Sequence, residues 1–271
     1  MWLKFLFFLK KSLSFLRDYF LNDPLFVILY IFAYFQKGYI NKVKFYSEGE
    51  VITLFKKGKS YIRYGDGEVA LMHGRGIDYQ QHEVSLSTSL KDIVAEYSTG
   101  SNYVLAVPER YINKSNTDLK KINLFNCWLP MKVTYNQLFP KNIKYADAHS
   151  FYVSGFFEKK IAPFIKSKKL IIVTTKDNIH KQKSILEKEF DVLFWIEAKS
   201  PNPFDWLNMY KQKIQDVLSS TTPATDVVVL ASCGPASKVL AYEMCNQVQV
   251  LDLGHGIEYL YRDKSLDHVL I

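Results

Sequence analysis

The sequence predicts an α/β domain built on a doubly wound, mostly parallel sheet. Apolar, β-branched runs of strand length recur from residue 60 onward, the clearest being Asp226–Ala231 (DVVVLA) and Leu170–Thr174 (LIIVT). Segments of helical spacing separate those runs, the pattern of parallel strands joined by crossover helices. The 271 residues, 48% hydrophobic and 23% charged, suffice for one large domain with an appendage and exclude intrinsic disorder or a fibrous repeat.

The first segments are unlike the rest. Met1–Phe20 alternates apolar runs with Lys4, Lys10, Lys11 and Arg17, which as a helix gives a wide aromatic face and a basic edge. Leu25–Phe35 is an apolar run of eleven residues, bounded by Asn22-Asp23-Pro24 and Gln36-Lys37-Gly38. A span needs about 20 apolar residues, so this run is too short to cross comfortably. No small-x-small cleavage site follows, as a signal peptide would require. The two segments read as a helical pair at a membrane interface, lysines near anionic headgroups. The alternative is a helical pair packed on the domain. Lysines flank both runs and predict the inner, cytoplasmic face of the cell membrane, with the protein peripheral to it. Residues 1–45 are therefore read as an appendage and 46–271 as the domain.

From Ser47 the alternation begins. Ser47–Lys57 reads as a helix stopped by Gly58, and Ser60–Tyr64 as a strand ending in the tight turn Gly65-Asp66-Gly67-Glu68, with a helix opening at Val69. Leu86–Tyr97 is helical, Tyr103–Val107 a strand closed by Pro108, Leu119–Leu138 mostly helical and Phe151–Ile165 an amphipathic helix. Then come the strand Leu170–Thr174, a helix over Asn178–Glu189, the strand Val192–Ile196, a helix over Phe204–Leu218, the strand Asp226–Ala231, a helix over Pro235–Cys245 and a short strand Val248–Leu251.

The formal net charge is +8, but residues 1–60 carry ten basic and four acidic residues and so hold most of the excess. Thirteen aromatic residues lie in the first 40. The basic, aromatic character belongs to the appendage, which argues against a distributed nucleic-acid surface. Three cysteines (Cys127, Cys233, Cys245) form no CxxC and no ligand spacing, and read as thiols in a reducing compartment.

In doubly wound sheets ligands bind at the carboxyl ends of strands, so the chemistry is sought there. Arg63-Tyr64-Gly65-Asp66-Gly67-Glu68 leaves a strand with two carboxylates two residues apart and glycines that permit close approach. Such oxygen ligands suit Mg²⁺ or Mn²⁺ beside substrate phosphates; equally, the two acids cap the next helix. Ser232-Cys233-Gly234-Pro235-Ala236-Ser237-Lys238 follows the best strand and opens a helix, whose amides attract phosphate. It is neither GxGxxG nor a P-loop. Asp252-Leu253-Gly254-His255-Gly256-Ile257-Glu258 follows the last strand and offers a general base.

Together these residues resemble the GT-D-fold glycosyltransferases. The strand followed by RYGDGE, the later Ile77-Asp78-Tyr79-Gln80, the middle loop Pro201-Asn202-Pro203-Phe204-Asp205 and the late GPASKVLAYE and LDLGHGIEY segments are similar to that family's motifs in the same order, over about Ser47–Asp263. The resemblance implies a Rossmann-like domain that transfers a sugar from a nucleotide-diphosphate donor, a UDP-sugar being favoured, to a glycan acceptor in bacterial surface polysaccharide or glycoconjugate assembly. Asp66 and Glu68 would be the D-x-E pair acting through Mn²⁺ or Mg²⁺. Arg63, Gly234, Ser237 and Lys238 would serve the diphosphate, and Asn202 and Asp205 the nucleoside or sugar. Glu258 or His255 would be the base for the acceptor hydroxyl, with Asp252 positioning it. His255-Gly256 and the Tyr-Leu-Tyr that follows depart from the family's pattern on the acceptor side. Beside an appendage at the membrane, a lipid-linked acceptor is favoured over a soluble sugar.

Three rivals remain. A metal-dependent phosphohydrolase needs more Asp and His ligands than these loops offer. A non-catalytic, membrane-associated nucleotide-binding module would bind donor without turnover. A dehydrogenase lacks its glycine fingerprint in the first strand–helix unit.

Overall fold

The apolar runs become strands buried on both faces. The computed structural model describes residues 23–152, 156–221 and 226–259. Its strands are β1 (Lys44–Phe45), β2 (Ser60–Arg63), β3 (Tyr103–Val107), β4 (Lys144–Asp147), β5 (Lys169–Thr175), β6 (Asp191–Ala198), β7 (Val227–Ser232) and β8 (Gln249–Asp252). They form one sheet in the order β1-β4-β3-β2-β8-β7-β5-β6, and every pairing is parallel. Alternate residues of each strand feed two cores. Ile62, Leu105, Val173, Val229 and Val250 point to one, and Tyr61, Val104, Ile172, Leu230 and Leu251 to the other. That two-sided burial is why β3 and β7 are continuously apolar.

Helices cover both faces. They are α1 (Pro24–Phe35), α2 (Glu48–Lys56), α3 (Asp66–Met72), α4 (Val84–Ala95), α5 (Glu109–Ile112), α6 (Asn116–Lys121), α7 (Phe125–Leu138), α8 (Ala162–Ile165), α9 (Lys176–Glu189), α10 (Leu207–Ser220) and α11 (Ala236–Met244). α2 and α9 pack into one core, and α1, α3, α4, α7, α10 and α11 into the other. Local signals set their starts. Ser47 and Glu50 form a capping box on α2, and Thr175 caps α9 through Asn178 N–H.

Residues 24–45 are part of this packing. Asp23 caps α1, with Pro24 in the first turn. Phe26, Val27, Tyr30 and Ala33 are buried, and α1 packs on α7. Asn116 Nδ2 donates to the carbonyls of Ala33 and Gln36, both at 2.7 Å. The buried ammonium of Lys132 donates to the carbonyls of Lys114 (2.6 Å) and Tyr39. β1 pairs with the edge of β4. Residues 1–22, the other part of the expected appendage, lie outside the described residues.

Four elements differ from expectation. β1 and β4 were unsignalled, because Lys44–Phe45 and Lys144–Asp147 are short and half polar. The helix expected over Leu119–Leu138 is two helices, broken where Asn123 takes a left-handed φ of 57°. The helix expected over Phe151–Ile165 is a short turn at Ser150–Tyr152, a π turn at Phe157–Ile161 and then α8. Pro163 lies in the first turn of α8, where its missing N–H costs no helix bond.

The order of strands places the site. From β2 the chain moves outward through β3 and β4; the other half, β5 to β8, builds on the opposite side and brings β8 back against β2. The crevice that such a reversal opens lies beyond the carboxyl ends of β2, β8 and β7.

Candidate functional site

A cleft of about 400 Å³ opens there, lined by residues from Arg63–Glu68, Tyr79, Trp128, Ala148–His149, Thr175, Asn178, Ala198–Ser200, Pro203, Ser232–Gly234, Lys238 and Gly254–His255. That is within the range of small-molecule sites.

Its floor is an ion cluster. Lys238, from the first turn of α11, reaches Glu68 Oε1 at 3.1 Å and Asp252 Oδ2 at 3.1 Å. Its ammonium also donates to the Gly234 carbonyl at 3.2 Å. All three charged side chains are buried. Burial alone would discharge Lys238, but Asp252 and Glu68 outweigh it and hold its pKa above the ordinary lysine value. Burial likewise opposes the charge on Glu68; Lys238 and the Gly65 N–H overcome it and keep the carboxyl below the usual glutamate value. Asp252, at the end of β8, accepts the N–H of Arg63 (3.1 Å) and of Gly254 (3.1 Å). The Arg63 guanidinium donates to the carbonyls of Ala148 (2.6 Å) and Leu253 (2.7 Å), tying β2 to the ends of β4 and β8.

Asp66 and Glu68 share the first turn of α3 but not one role. Glu68 Oε2 accepts the Gly65 N–H at 2.9 Å, as a helix cap, while its other oxygen meets Lys238. Asp66 lines the cleft exposed, and accepts the Gly67 N–H (3.0 Å) and the Cys127 thiol (3.2 Å). Burial and the neighbouring Asp66 charge push that thiol up to about 12, so it stays protonated. For a divalent cation, Asp66 fits as a carboxylate ligand to be completed by substrate phosphates. Glu68 already has a partner on each oxygen and would have to release Lys238 to serve directly.

The side wall is aromatic. Trp128 and Tyr111 stack with centroids 4.4 Å apart, and His149 stands edge-on to both, at 5.8 and 5.7 Å. Burial, with the charges of Arg63 and Arg110, pushes His149 down to about 3, so its ring is neutral at physiological pH. Asp147, at the end of β4, accepts the N–H of Glu109 (3.0 Å) and of His149 (3.1 Å), and burial raises its pKa.

A loop closes the third side. Gly234 has a φ of 58°, and a Cβ there would lie 2.7 Å from the Tyr79 ring. Glycine at 234 thus serves the turn and the seat of Tyr79. Asn202, itself left-handed, donates its N–H to the Tyr79 carbonyl (2.9 Å) and accepts the Gln81 N–H (2.8 Å). Phe204 N–H donates to Gln80 Oε1 at 3.1 Å. Glu83 is raised by burial and by a shared hydrogen bond with Asp205.

Of the sequence candidates, Arg63, Asp66, Glu68, Gly234, Lys238 and His255 line the cleft, His255 exposed at its mouth. Asp252 does not line the cleft; it is the fully buried member of the floor's ion cluster. Ser237 is also buried, its hydroxyl accepting the Cys233 N–H at 2.9 Å. Asn202 and Asp205 do not line the cleft but fasten the Tyr79 loop. The backbone of Glu258 lies in the turn Gly254–Tyr259, and its side chain is outside the described residues. Sequence reasoning missed Trp128 and His149. His149 follows the unsignalled β4, and Trp128 sits on a segment read only as helical. Among the described residues no group of three or more His, Cys, Asp or Glu side chains is placed to hold a metal.

Comparison with known proteins agrees with the fold. A family model described as the glycosyltransferase GT-D fold matches residues 61–264. A probable glycosyl transferase, Gly, of Streptococcus gordonii is 24% identical over 79% of this chain and 32% of its own length. The glycosyltransferase GlyD of Streptococcus pneumoniae serotype 4 is 24% identical over 74% of this chain and 25% of its own. The chain thus spans a third or less of those relatives. A solved structure of a new glycosyltransferase from Streptococcus sanguinis superposes with a TM-score of 0.66 at 21% identity, covering 80% of this chain and 84% of that one. A second, of a domain with a distinct glycosyltransferase fold, gives a TM-score of 0.63 at 21% identity, covering 80% of each.

Proposed function

The chain belongs to the glycosyltransferase GT-D fold family, and we propose that it moves a glycosyl group from a nucleoside diphosphate sugar, a UDP-sugar in the favoured reading, to a hydroxyl of a glycan acceptor. The bond from the anomeric carbon to the diphosphate oxygen breaks, its electron pair leaving with the nucleoside diphosphate. The acceptor oxygen bonds to that carbon and gives up its proton to a base. The charge that develops on the leaving group is what a site must stabilise.

The observation that carries the reading is the charge arrangement at the carboxyl ends of β2, β7 and β8. Two cations, Arg63 and Lys238, face three carboxylates, Asp66, Glu68 and Asp252. A diphosphate is repelled by that balance unless further positive charge enters. Asp66, at the edge of the cluster, is the ligand available to bring it. A divalent ion, Mn²⁺ or Mg²⁺, supplies that charge when bound. Glu68 and Asp252 fix Lys238, and Lys238 with Arg63 presents a fixed positive edge to the leaving oxygen. The aromatic wall excludes water and offers Trp128 to a planar or sugar face. His149, its basicity suppressed by burial and by the charges of Arg63 and Arg110, is a poor proton acceptor; His255 or Glu258 takes the acceptor proton.

The test is a thermal-shift and turnover series on the purified chain with nucleotide sugars, with and without Mn²⁺. Cation-dependent stabilisation and acceptor-dependent release of nucleoside diphosphate are expected. Phosphate release without acceptor would make the protein a phosphohydrolase, and binding without turnover would make it a nucleotide-binding module.

A further inference from the structure

We infer that the outward face of α1 is a docking surface for an anionic lipid bilayer, on which the protein lies without crossing. α1 has two apolar faces. One, with Phe26, Val27, Tyr30 and Ala33, is buried on the domain. The other, with Leu25, Ile28, Phe32 and Phe35, lies at the spacing of one helix side and is in solvent, Phe32 being 66% and Phe35 77% exposed. Ile40 continues it. A helix of 12 residues is about 18 Å long, short of a hydrocarbon core of about 30 Å. Among the described residues no helix is long and apolar enough to cross a membrane.

Charge identifies the occupant. Residues 24–44 contain Lys37, Lys42 and Lys44 and no acidic residue. α6 is stitched to the end of α1 through Thr117 N–H and the Lys37 carbonyl (3.2 Å). It adds Lys120, whose ammonium lies 5.0 Å from the Tyr34 ring centroid and 4.4 Å from that of Phe125, and Lys121, paired with Asp118. Exposed aromatics rimmed by lysines fit lipid headgroups of negative charge. A second copy of the same face would set lysine against lysine. The surface is joined to the site: Asp23 Oδ2 bonds His73 Nδ1 at 2.7 Å and Phe26 stacks on that ring at 3.8 Å, while His73 ends the helix that begins with Asp66.

This inference does not rest on the reaction assigned above. The full chain is floated with vesicles of phosphatidylcholine alone and of phosphatidylcholine mixed with phosphatidylglycerol. Binding to the anionic vesicles only is expected, falling at least about tenfold in Phe32→Glu/Phe35→Glu. Lys120→Gln/Lys121→Gln should flatten the dependence on ionic strength. Transfer to a soluble acceptor should be unchanged in both variants, which separates docking from catalysis. Equal binding of Phe32→Glu/Phe35→Glu and the unaltered chain overturns the inference. So does failure of the full chain to bind anionic vesicles, in which case sedimentation velocity shows whether a second copy covers the face.

Discussion

The floor of the cleft and its aromatic wall solve opposite problems. The floor holds Lys238, Glu68 and Asp252 charged out of water, each charge answered by another within 3.1 Å. The wall holds His149 uncharged among Trp128 and Tyr111. The lesson is that burial alone decides neither protonation state. A buried group keeps its charge where a partner of opposite sign is built beside it, and loses it where the neighbours are rings and like charges.

Breaking the floor should produce the largest effects. Lys238→Met strands two buried carboxylates, which costs about 3–5 kcal/mol. Melting should fall by roughly 10 °C and transfer should be abolished. If the melting temperature barely moves, the cluster is not what joins β2, β8 and α11. Asp66→Asn sharpens the division within the D-x-E pair. The side chain is exposed and holds no buried partner charge, so stability should stay within about 0.5 kcal/mol. Turnover should drop by about 10²–10³. Equal losses of stability in Asp66→Asn and Glu68→Gln would remove the distinction drawn between ligand and cap.

The wall is tested by pH. His149 is depressed in the folded state to about 3, so between its ordinary histidine value and about 3 the unfolded chain binds more protons. Glu68, also depressed, acts with the same sign below the ordinary carboxyl range. Stability should therefore fall as pH falls through that window, histidine first and carboxylate later. His149→Phe should lessen the early part of the decline, the remainder belonging to the buried His73, which burial also depresses, and leave the later part. A smaller effect is expected at Gly234→Ala, where the left-handed φ and the Tyr79 ring together cost about 1–3 kcal/mol, read by urea denaturation. The smallest is His255→Ala: this exposed residue should leave melting unchanged, and only the pH–rate profile, by losing or keeping its acidic limb, tells whether it or Glu258 takes the proton.

The same contrast explains what was legible in the sequence. The floor was readable because its residues follow strong strands in compact motifs: RYGDGE after β2, GPASK after β7, LDLG after β8. The alternating runs likewise gave the parallel sheet, since strands buried on both sides advertise themselves. The wall was not readable. Its parts come from the first turn of α7 and from the turn after β4, a strand of four residues with only Tyr145 and Ala146 apolar. No local pattern announces that Trp128 and His149 meet. Partnerships, too, are invisible along the chain. That Glu68 spends its oxygens on Lys238 and Gly65, or that Asn202 and Asp205 fasten a loop, follows only from three-dimensional distance.

Tyr79 resting on Gly234 has a consequence for how such enzymes diverge. Residues 76–83, Asn202 and Gly234 fit one another across more than 150 positions of chain. A recombination that imports a foreign version of this loop without its two distant counterparts leaves a misfitted rim. The heritable module of this side of the cleft is thus a scattered trio, and transplanting it calls for three simultaneous edits and not for one contiguous cassette.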